Sequence, residues 1–193
     1  MASILKVENI AHTNDTAAVT IASTGAVTFA KPQPPLVGSP VALSGLGLKT
    51  FTGIPAGTNR FTVVLDDVSG ASDGGYLKLQ LGTSSGLVTS GIYLTHNSNG
   101  TSTNSFAGFG VTNATEFRLT SWTNSAVTMC GTVTFTHLGG NKWMQSSALV
   151  ARAYPTYFIG FTGQVNLSAE CTQVKVFLAT GNFDGGSVNL LLG

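Results

Sequence analysis

The sequence predicts an all-β protein, an antiparallel β-sandwich of the jelly-roll type with a short β-hairpin ahead of it. The 193 residues include 24 glycines with abundant threonine, serine and asparagine, a composition typical of many short strands joined by tight turns. Apolar residues recur at every second position in several segments, which is the period of a half-buried strand. No segment keeps a 3.6-residue apolar period over several turns, so little helix is expected.

The first predicted element is the hairpin, residues 17–29, which read AAVTIASTGAVTF. A register that pairs Val19 with Phe29 and leaves a three-residue loop keeps the apolar residues on one face. A two-residue loop would shift the register and divide them between the faces. Because an isolated hairpin is marginal in water, this apolar face needs a partner, either the downstream domain or other copies of the hairpin. The face consists of Val19, Ile21, Val27 and Phe29.

Three segments are predicted along the chain. Residues 1–30 contain the hairpin, and residues 31–42, which include four prolines in KPQPPLVGSP, form an extended linker. Residues 43–193 form the sandwich. Alternating apolar residues within it predict strands at 61–65, 77–81, 117–119, 127–135 and 174–178.

The charge content excludes several classes of partner. Charged residues make up only 9% of the chain and the net charge is +1, so no basic field exists to hold nucleic acid or anionic lipid. No apolar run is long enough to span a bilayer, and the N-terminus does not resemble a secretory signal. Cys130 and Cys171 lack metal-site spacing, which favours reduced thiols in a cytosol and leaves a single disulfide bridge open.

Residues that support catalysis are scarce. His12, His96 and His137 show no metal-binding spacing, so neither a metal nor a cofactor is expected. The pair Asp66–Asp67 is placed at the end of a predicted strand, where adjacent side chains point to opposite faces. A turn-capping role is therefore favoured over a carboxylate pair for glycoside hydrolysis, and no enzyme is expected. Trp143 is expected in the core rather than stacked on a sugar, as most aromatic residues here are.

The longest stretch without apolar alternation is THNSNGTSTNS, residues 95–105, which is expected to be a surface loop. Its short hydrogen-bonding side chains, with the flanking Tyr93, suit a hydroxyl-rich glycan. A solvated loop without a ligand is the alternative. The candidate receptor contacts are Tyr93, His96, Asn97, Asn99, Thr101 and Asn104.

The N-terminal stretch NIAHTNDTAAVTIASTGAVTFAKPQPP resembles the segment that precedes the C-terminal domain in tail-fibre and related virion proteins of bacteriophages, particularly marine ones. Further similarity lies in FTGIPAGTNRFTVVLDDVS, in the text around SGIY and in TQVKVFLATGNFDGGSVNLLL. Together these stretches cover most of the chain.

The resemblance implies a non-enzymatic virion component, assembled in the bacterial cytoplasm, whose β-domain contacts the host surface. It implies a homotrimer in which the hairpin residues meet across a threefold axis, and docking of the N-terminus on another virion protein of the tail or capsid. The expected function is that of a short trimeric fibre or spike that recognises a host-surface glycan. The alternatives are a capsid decoration or head-fibre protein and, from another class, a free carbohydrate-binding lectin.

Overall fold

The structure, a computed structural model, describes residues 9–11, 17–21, 24, 27–29, 38–72, 76–99, 106–119, 126–152 and 157–193. Every regular element in these ranges is a β-strand. The chain divides into two units, Met1–Leu36 and Val37–Gly193. The strands are β1 (Asn9–Ala11), β2 (Ala17–Ile21), β3 (Val27–Phe29), β4 (Val41–Ala42), β5 (Leu48–Thr52), β6 (Arg60–Gly70), β7 (Leu77–Thr83), β8 (Gly86–Leu87), β9 (Ile92–Asn99), β10 (Phe106–Ala114), β11 (Phe117–Arg118), β12 (Thr128–Gly139), β13 (Lys142–Arg152), β14 (Tyr157–Asn166), β15 (Gln173–Leu178) and β16 (Phe183–Leu192).

The N-terminal unit contains the predicted hairpin. Strands β2 and β3 pair antiparallel, with Val19 opposite Phe29 and Ile21 opposite Val27, so the predicted register is confirmed. Strand β1 pairs with the other edge of β2 and completes a three-stranded sheet. The sequence did not predict β1, because three residues are too few to display an alternation.

The second unit is a sandwich of two antiparallel sheets, which confirms the predicted fold class. The large sheet has eight strands in the order β10-β9-β14-β13-β12-β6-β16-β4. The small sheet has the order β11-β7-β15-β5, with β8 paired to β7. Strands β12, β13 and β14 form a meander, in which Asn141 takes a φ of 61° at the turn between the first two.

The core lies between the two sheets and is built from the alternating apolar residues that the sequence indicated. Leu77, Leu79 and Leu81 of β7 are fully buried, as are Phe61 and Val63 of β6 and Val133 and Phe135 of β12. An aromatic cluster joins them, with the Phe61 ring centroid 5.0 Å from that of Phe135 and 5.3 Å from that of Trp143. The expectation that Trp143 lies in the core is therefore confirmed.

One polar side chain enters this core without full hydrogen bonding. Gln145 is 1% exposed, and its amide nitrogen is buried with no hydrogen-bond partner among the described residues. The indole nitrogen of Trp143, two residues earlier on β13, is buried in the same way. A buried donor without a partner lowers the stability of the fold, which makes Gln145 a useful position for substitution.

The prediction of a surface loop over residues 95–105 is wrong for its first part. Residues 95–99 belong to β9, which pairs with β10 on one side and with β14 on the other. Strand hydrogen bonds are made by the backbone, so a run of polar side chains does not prevent them. Residues 100–105 lie outside the described residues.

The predicted linker, residues 31–42, lies mostly outside the described residues as well. Its last two residues form β4, which pairs antiparallel with β16. Just before β4, the Gly38 N–H donates to the Leu190 carbonyl at 3.4 Å, and the Gly38 carbonyl accepts from the Asn189 amide at 2.7 Å. These contacts attach the start of the sandwich unit to its final strand.

Candidate interaction surface

Four adjacent strands of the large sheet present a face to solvent that carries no charged side chain in its interior. We call this the large-sheet outer face and define it by the outward residues of β6, β12, β13 and β14, all of them half-buried or exposed. They are Thr62, Val64, Cys130, Thr132, Thr134, Thr136, Met144, Ser146, Ala148, Val150, Phe158, Gly160, Thr162 and Gln164.

Strand register aligns these residues in rows across the sheet. The central rows contain small side chains, with Thr132 opposite Ala148 and Ala148 opposite Gly160. The row on one side is apolar, since Val150 pairs with Phe158 and the two side chains are 39% and 54% exposed. The surface is therefore flat in the middle and rises at larger apolar groups beside it.

Met144, 43% exposed, stands in the row on the other side of the centre, opposite Gln164. Tyr93 of β9 pairs with Gln164 and is 49% exposed, so one predicted receptor contact borders this face. Asn97 and Asn99 pair in register with Gly160 and Phe158 of β14. These asparagines therefore lie in a paired strand rather than in a free loop.

The remaining predicted receptor contacts are His96, Thr101 and Asn104, and the remaining predicted subunit contacts are the hairpin residues. His96 is also a residue of β9, where it is the register partner of Phe161. Thr101 and Asn104 lie outside the described residues. For the predicted hairpin residues Val19, Ile21, Val27 and Phe29, the structure describes the backbone pairing alone.

Charged residues stand at the ends of the large-sheet outer face. Arg60 and Lys142 lie at one end, where Arg60 pairs with Thr136 of β12 and Lys142 with Asn166 of β14. Asp66, Asp67 and Arg152 lie at the other end, and Arg152 donates to the Asp67 carboxylate at 2.6 Å. The uncharged interior is thus bordered by charge at both ends of the strands.

The position of the Asp66–Asp67 pair corrects two predictions. The pair lies inside β6 rather than at a strand end, and both residues are exposed rather than on opposite faces. The reason is a β-bulge, in which Leu65 pairs with Gly131 and Val68 with Met129, so one extra residue of β6 is accommodated. Asp67 takes a φ of 49° at the bulge, and the alternation resumes with Val68 in the core.

A glycine on one neighbouring strand makes room for this bulge. Gly186 of β16 has a φ of +87°, and a Cβ there would stand 2.5 Å from the Asp67 carbonyl oxygen. Gly131 of β12 has a φ of +139°, and a Cβ there would collide with the Ala148 carbonyl oxygen of β13. The bulge therefore requires glycine at position 186, and the close approach of β12 to β13 requires it at position 131, because a side chain would meet rigid backbone atoms.

The bulge also brings together groups that can ligate a metal. One ligand atom from each of Asp66, Asp67 and Cys130 lies within 4.8 Å of the others. The Cys130 thiol donates to the Asp67 carboxylate at 3.2 Å, and the thiol and this carboxylate together raise the pKa of the Arg152 guanidinium. Because Arg152 neutralises the carboxylate, we interpret the cluster as an ion-pair network.

Both cysteines are free, which settles the question that the sequence left open. Cys130 is half-buried on the large-sheet outer face, in register with Val150. Cys171 is buried, and this burial raises the pKa of its thiol to about 11. Cys130 is therefore the more accessible of the two thiols in a single chain.

The outer face of the small sheet has a different character. We call it the small-sheet outer face and define it by Lys78, Arg118, Lys175, Phe177 and Leu48 on adjacent strands. The Lys175 amine lies 4.1 Å from the centroid of the Phe177 ring, so a cation covers the exposed aromatic surface.

Lys78 also forms a 2.7 Å salt bridge with Glu116. Burial raises the pKa of Glu116, but hydrogen bonds from Lys78 and Thr115 and the charges of Lys78 and Arg118 outweigh it, so the pKa lies below its ordinary value of 4.5. This network was not found from the sequence, because Lys78 and Glu116 are far apart in the chain and meet only through the pairing of β7 with β11.

A cavity of about 350 Å³ opens between the β7–β8 turn and the end of β14. Hydroxyl and amide groups dominate its lining, which includes Ser85, Thr89, Ser90, Asn166 and Ser168, and no charged residue is among the described residues that line it. Such a lining suits a small neutral ligand rich in hydroxyl groups.

None of the described residues forms a helix that is long and apolar enough to cross a membrane. No protein-family model, no curated protein and no solved structure matches this chain.

Proposed function

We propose that this chain is a structural protein of a bacteriophage virion, a short homotrimeric fibre or spike whose sandwich unit meets the host surface. The N-terminal unit carries this proposal. Its hairpin has the sequence motif that resembles phage fibre proteins, and its register sets Val19 opposite Phe29 and Ile21 opposite Val27. An isolated sheet of a few short strands is marginally stable in water, and three copies around an axis would bury its apolar residues against one another.

The second support is the all-β sandwich itself. The pairing of β9 with β10 and β14 fixes the register of the strand that contains Tyr93, and the chain offers few residues for acid–base chemistry. In this proposal the protein binds rather than catalyses, and the N-terminus docks on another virion protein. The receptor contacts that the proposal names are Tyr93, His96, Asn97, Asn99, Thr101 and Asn104, with a host glycan as their ligand.

Detection of the chain in purified particles tests the proposal. Mass spectrometry of phage particles purified through a density gradient should find the chain at a fixed number of copies per particle. Antibody labelling viewed by electron microscopy should mark the tail or a spike. Labelling spread over the whole head would instead establish the capsid-decoration alternative. Absence of the chain from purified particles would refute a virion role.

The hydroxyl-lined cavity supports the second candidate function, a free carbohydrate-binding lectin. A lectin binds sugar through a single chain, whereas a trimeric fibre gains much of its affinity from three weak contacts acting together. Glycan binding by the full chain carrying Val19→Asp, which we expect to stay monomeric, separates the two. Undiminished binding by that variant favours the lectin. Binding that is lost with assembly favours the fibre.

A further inference from the structure

We propose that the large-sheet outer face packs against a second copy of this chain. The inference rests on the proposed function to the extent that a homo-oligomeric fibre supplies the second copy. It goes further by assigning a subunit contact to the sandwich unit, in addition to the one assigned to the N-terminal hairpin.

The distribution of charge is the first argument. The small-sheet outer face carries Lys78, Arg118 and Lys175, as a face in contact with water normally does. The four strands of the large-sheet outer face are longer than those of the small sheet, yet their interior carries no charged residue. The two faces belong to one sandwich, so the low overall charge of the chain does not explain the difference.

The shape of the face is the second argument. Ala148 and Gly160 form a low central row, which lets a neighbouring chain approach closely. Beside this row stand Val150 and Phe158, with Met144 on the opposite side, as apolar groups that the neighbouring chain would cover. In a threefold trimer this contact is heterologous, so the face of one chain meets a different surface of the next.

The area of the face is the third argument. Its four strands are 10 to 12 residues long. At a spacing of about 4.8 Å between strands and about 3.4 Å per residue, they cover roughly 650 Å² in projection. A stable interface buries about 800 Å² per partner. Because side chains protrude from the sheet, the accessible area of this face exceeds its projected area and reaches that range.

The border of the face completes the argument. Protein interfaces have an uncharged centre and a polar rim that stays in contact with water. The rim here is formed by Arg60 and Lys142 at one end and by the bulge residues Asp66 and Asp67 with Arg152 at the other. The face therefore has both the size and the distribution of polarity of a subunit interface.

Two arginine substitutions form the test. Ala148→Arg places a charge at the centre of the face, and Leu48→Arg places the same charge on the small-sheet outer face, where Leu48 is 49% exposed. By light scattering over a dilution series, we expect the wild type and Leu48→Arg to keep the assembled mass down to the same concentration. We expect Ala148→Arg, which retains only the hairpin contact, to dissociate at a concentration at least about tenfold higher. Dissociation of Ala148→Arg at the wild-type concentration, or a monomeric wild type at micromolar concentration, would overturn the inference. Circular dichroism establishes whether each variant is folded.

Thiol reactivity provides a second readout. Cys130 lies at the edge of the face, where its thiol donates to Asp67, while Cys171 is buried in the core and serves as the internal control. With Ellman's reagent we expect the Cys130 thiol to react more slowly in the assembled wild type than in folded, dissociated Ala148→Arg. Equal reaction rates in the two proteins would show that the face is open to solvent and would overturn the inference.

The outcomes are separable from those of the proposed function. If the chain is present in phage particles and Ala148→Arg assembles as strongly as the wild type, the virion role stands and this interface is refuted. If the chain is absent from particles and Ala148→Arg weakens assembly, the interface stands and the virion role is refuted.

Discussion

Replacing Gly186 with alanine tests whether the Asp66–Asp67 bulge is fixed by its neighbouring strands. Gly186 has a φ of +87°, and a Cβ would stand 2.5 Å from both the Asp67 carbonyl oxygen and the Val68 Cα. Both atoms belong to the backbone of a paired strand, so they cannot move aside as a flexible side chain would. Alanine at this position therefore suffers both conformational strain and overpacking.

The control is Gly45→Ala. Gly45 has a φ of +81°, but no atom lies within 4 Å of the position that a Cβ would take, so the change introduces strain without a clash. The left-handed conformation costs roughly 1–2 kcal/mol in either variant, and overpacking adds roughly 1–3 kcal/mol at Gly186 alone. The difference in unfolding free energy between the two variants therefore measures the cost of overpacking at Gly186.

Urea denaturation followed by tryptophan fluorescence measures this difference. We expect Gly186→Ala to be about 1–3 kcal/mol less stable than Gly45→Ala, which corresponds to a melting temperature lower by roughly 2–12 °C in a domain of this size. Equal stability of the two variants would refute the reasoning, since it would mean that β6 and β16 can separate locally without cost.

Three further substitutions extend these expectations. Glu116→Gln should lower the free energy of unfolding by about 1 kcal/mol or less near neutral pH. Because the pKa of Glu116 is depressed by its folded surroundings, this deficit should disappear as the pH falls below 4.5, and a deficit independent of pH in chemical denaturation would contradict the assignment. Gln145→Leu removes a buried amide donor without a partner and should be neutral or stabilising by about 1 kcal/mol, whereas a loss above about 2 kcal/mol would show that the amide is well paired. Val19→Asp should abolish assembly in light scattering, since it forces a carboxylate into a dry interface, and normal assembly would exclude the hairpin as a contact.

The fold could be predicted because its signals are local. Alternating apolar residues such as Leu77, Leu79 and Leu81 identify a strand without reference to its neighbours, and the hairpin register follows from which pairing keeps one face apolar. Strand β9 was missed for the complementary reason. Its polar residues show no alternation, and its place in the sheet depends on the backbone groups of β10 and β14.

The surface was harder to predict than the core. The bulge at Asp67 depends on Gly186, which lies on a different strand and becomes its neighbour only after folding. The uncharged face is likewise a product of register, because Ala148 and Gly160 carry no distinctive signal in the sequence and form a row only when β13 pairs with β14. A single sequence does not specify which outward rows are placed side by side.

The mass of the native particle in solution tests the central claim, that copies of this chain assemble through the hairpin and the large-sheet outer face. Native mass spectrometry or light scattering on the full chain should give three chains of 19.8 kDa, about 59 kDa together, at micromolar concentration. A folded species of 19.8 kDa at that concentration would contradict the claim.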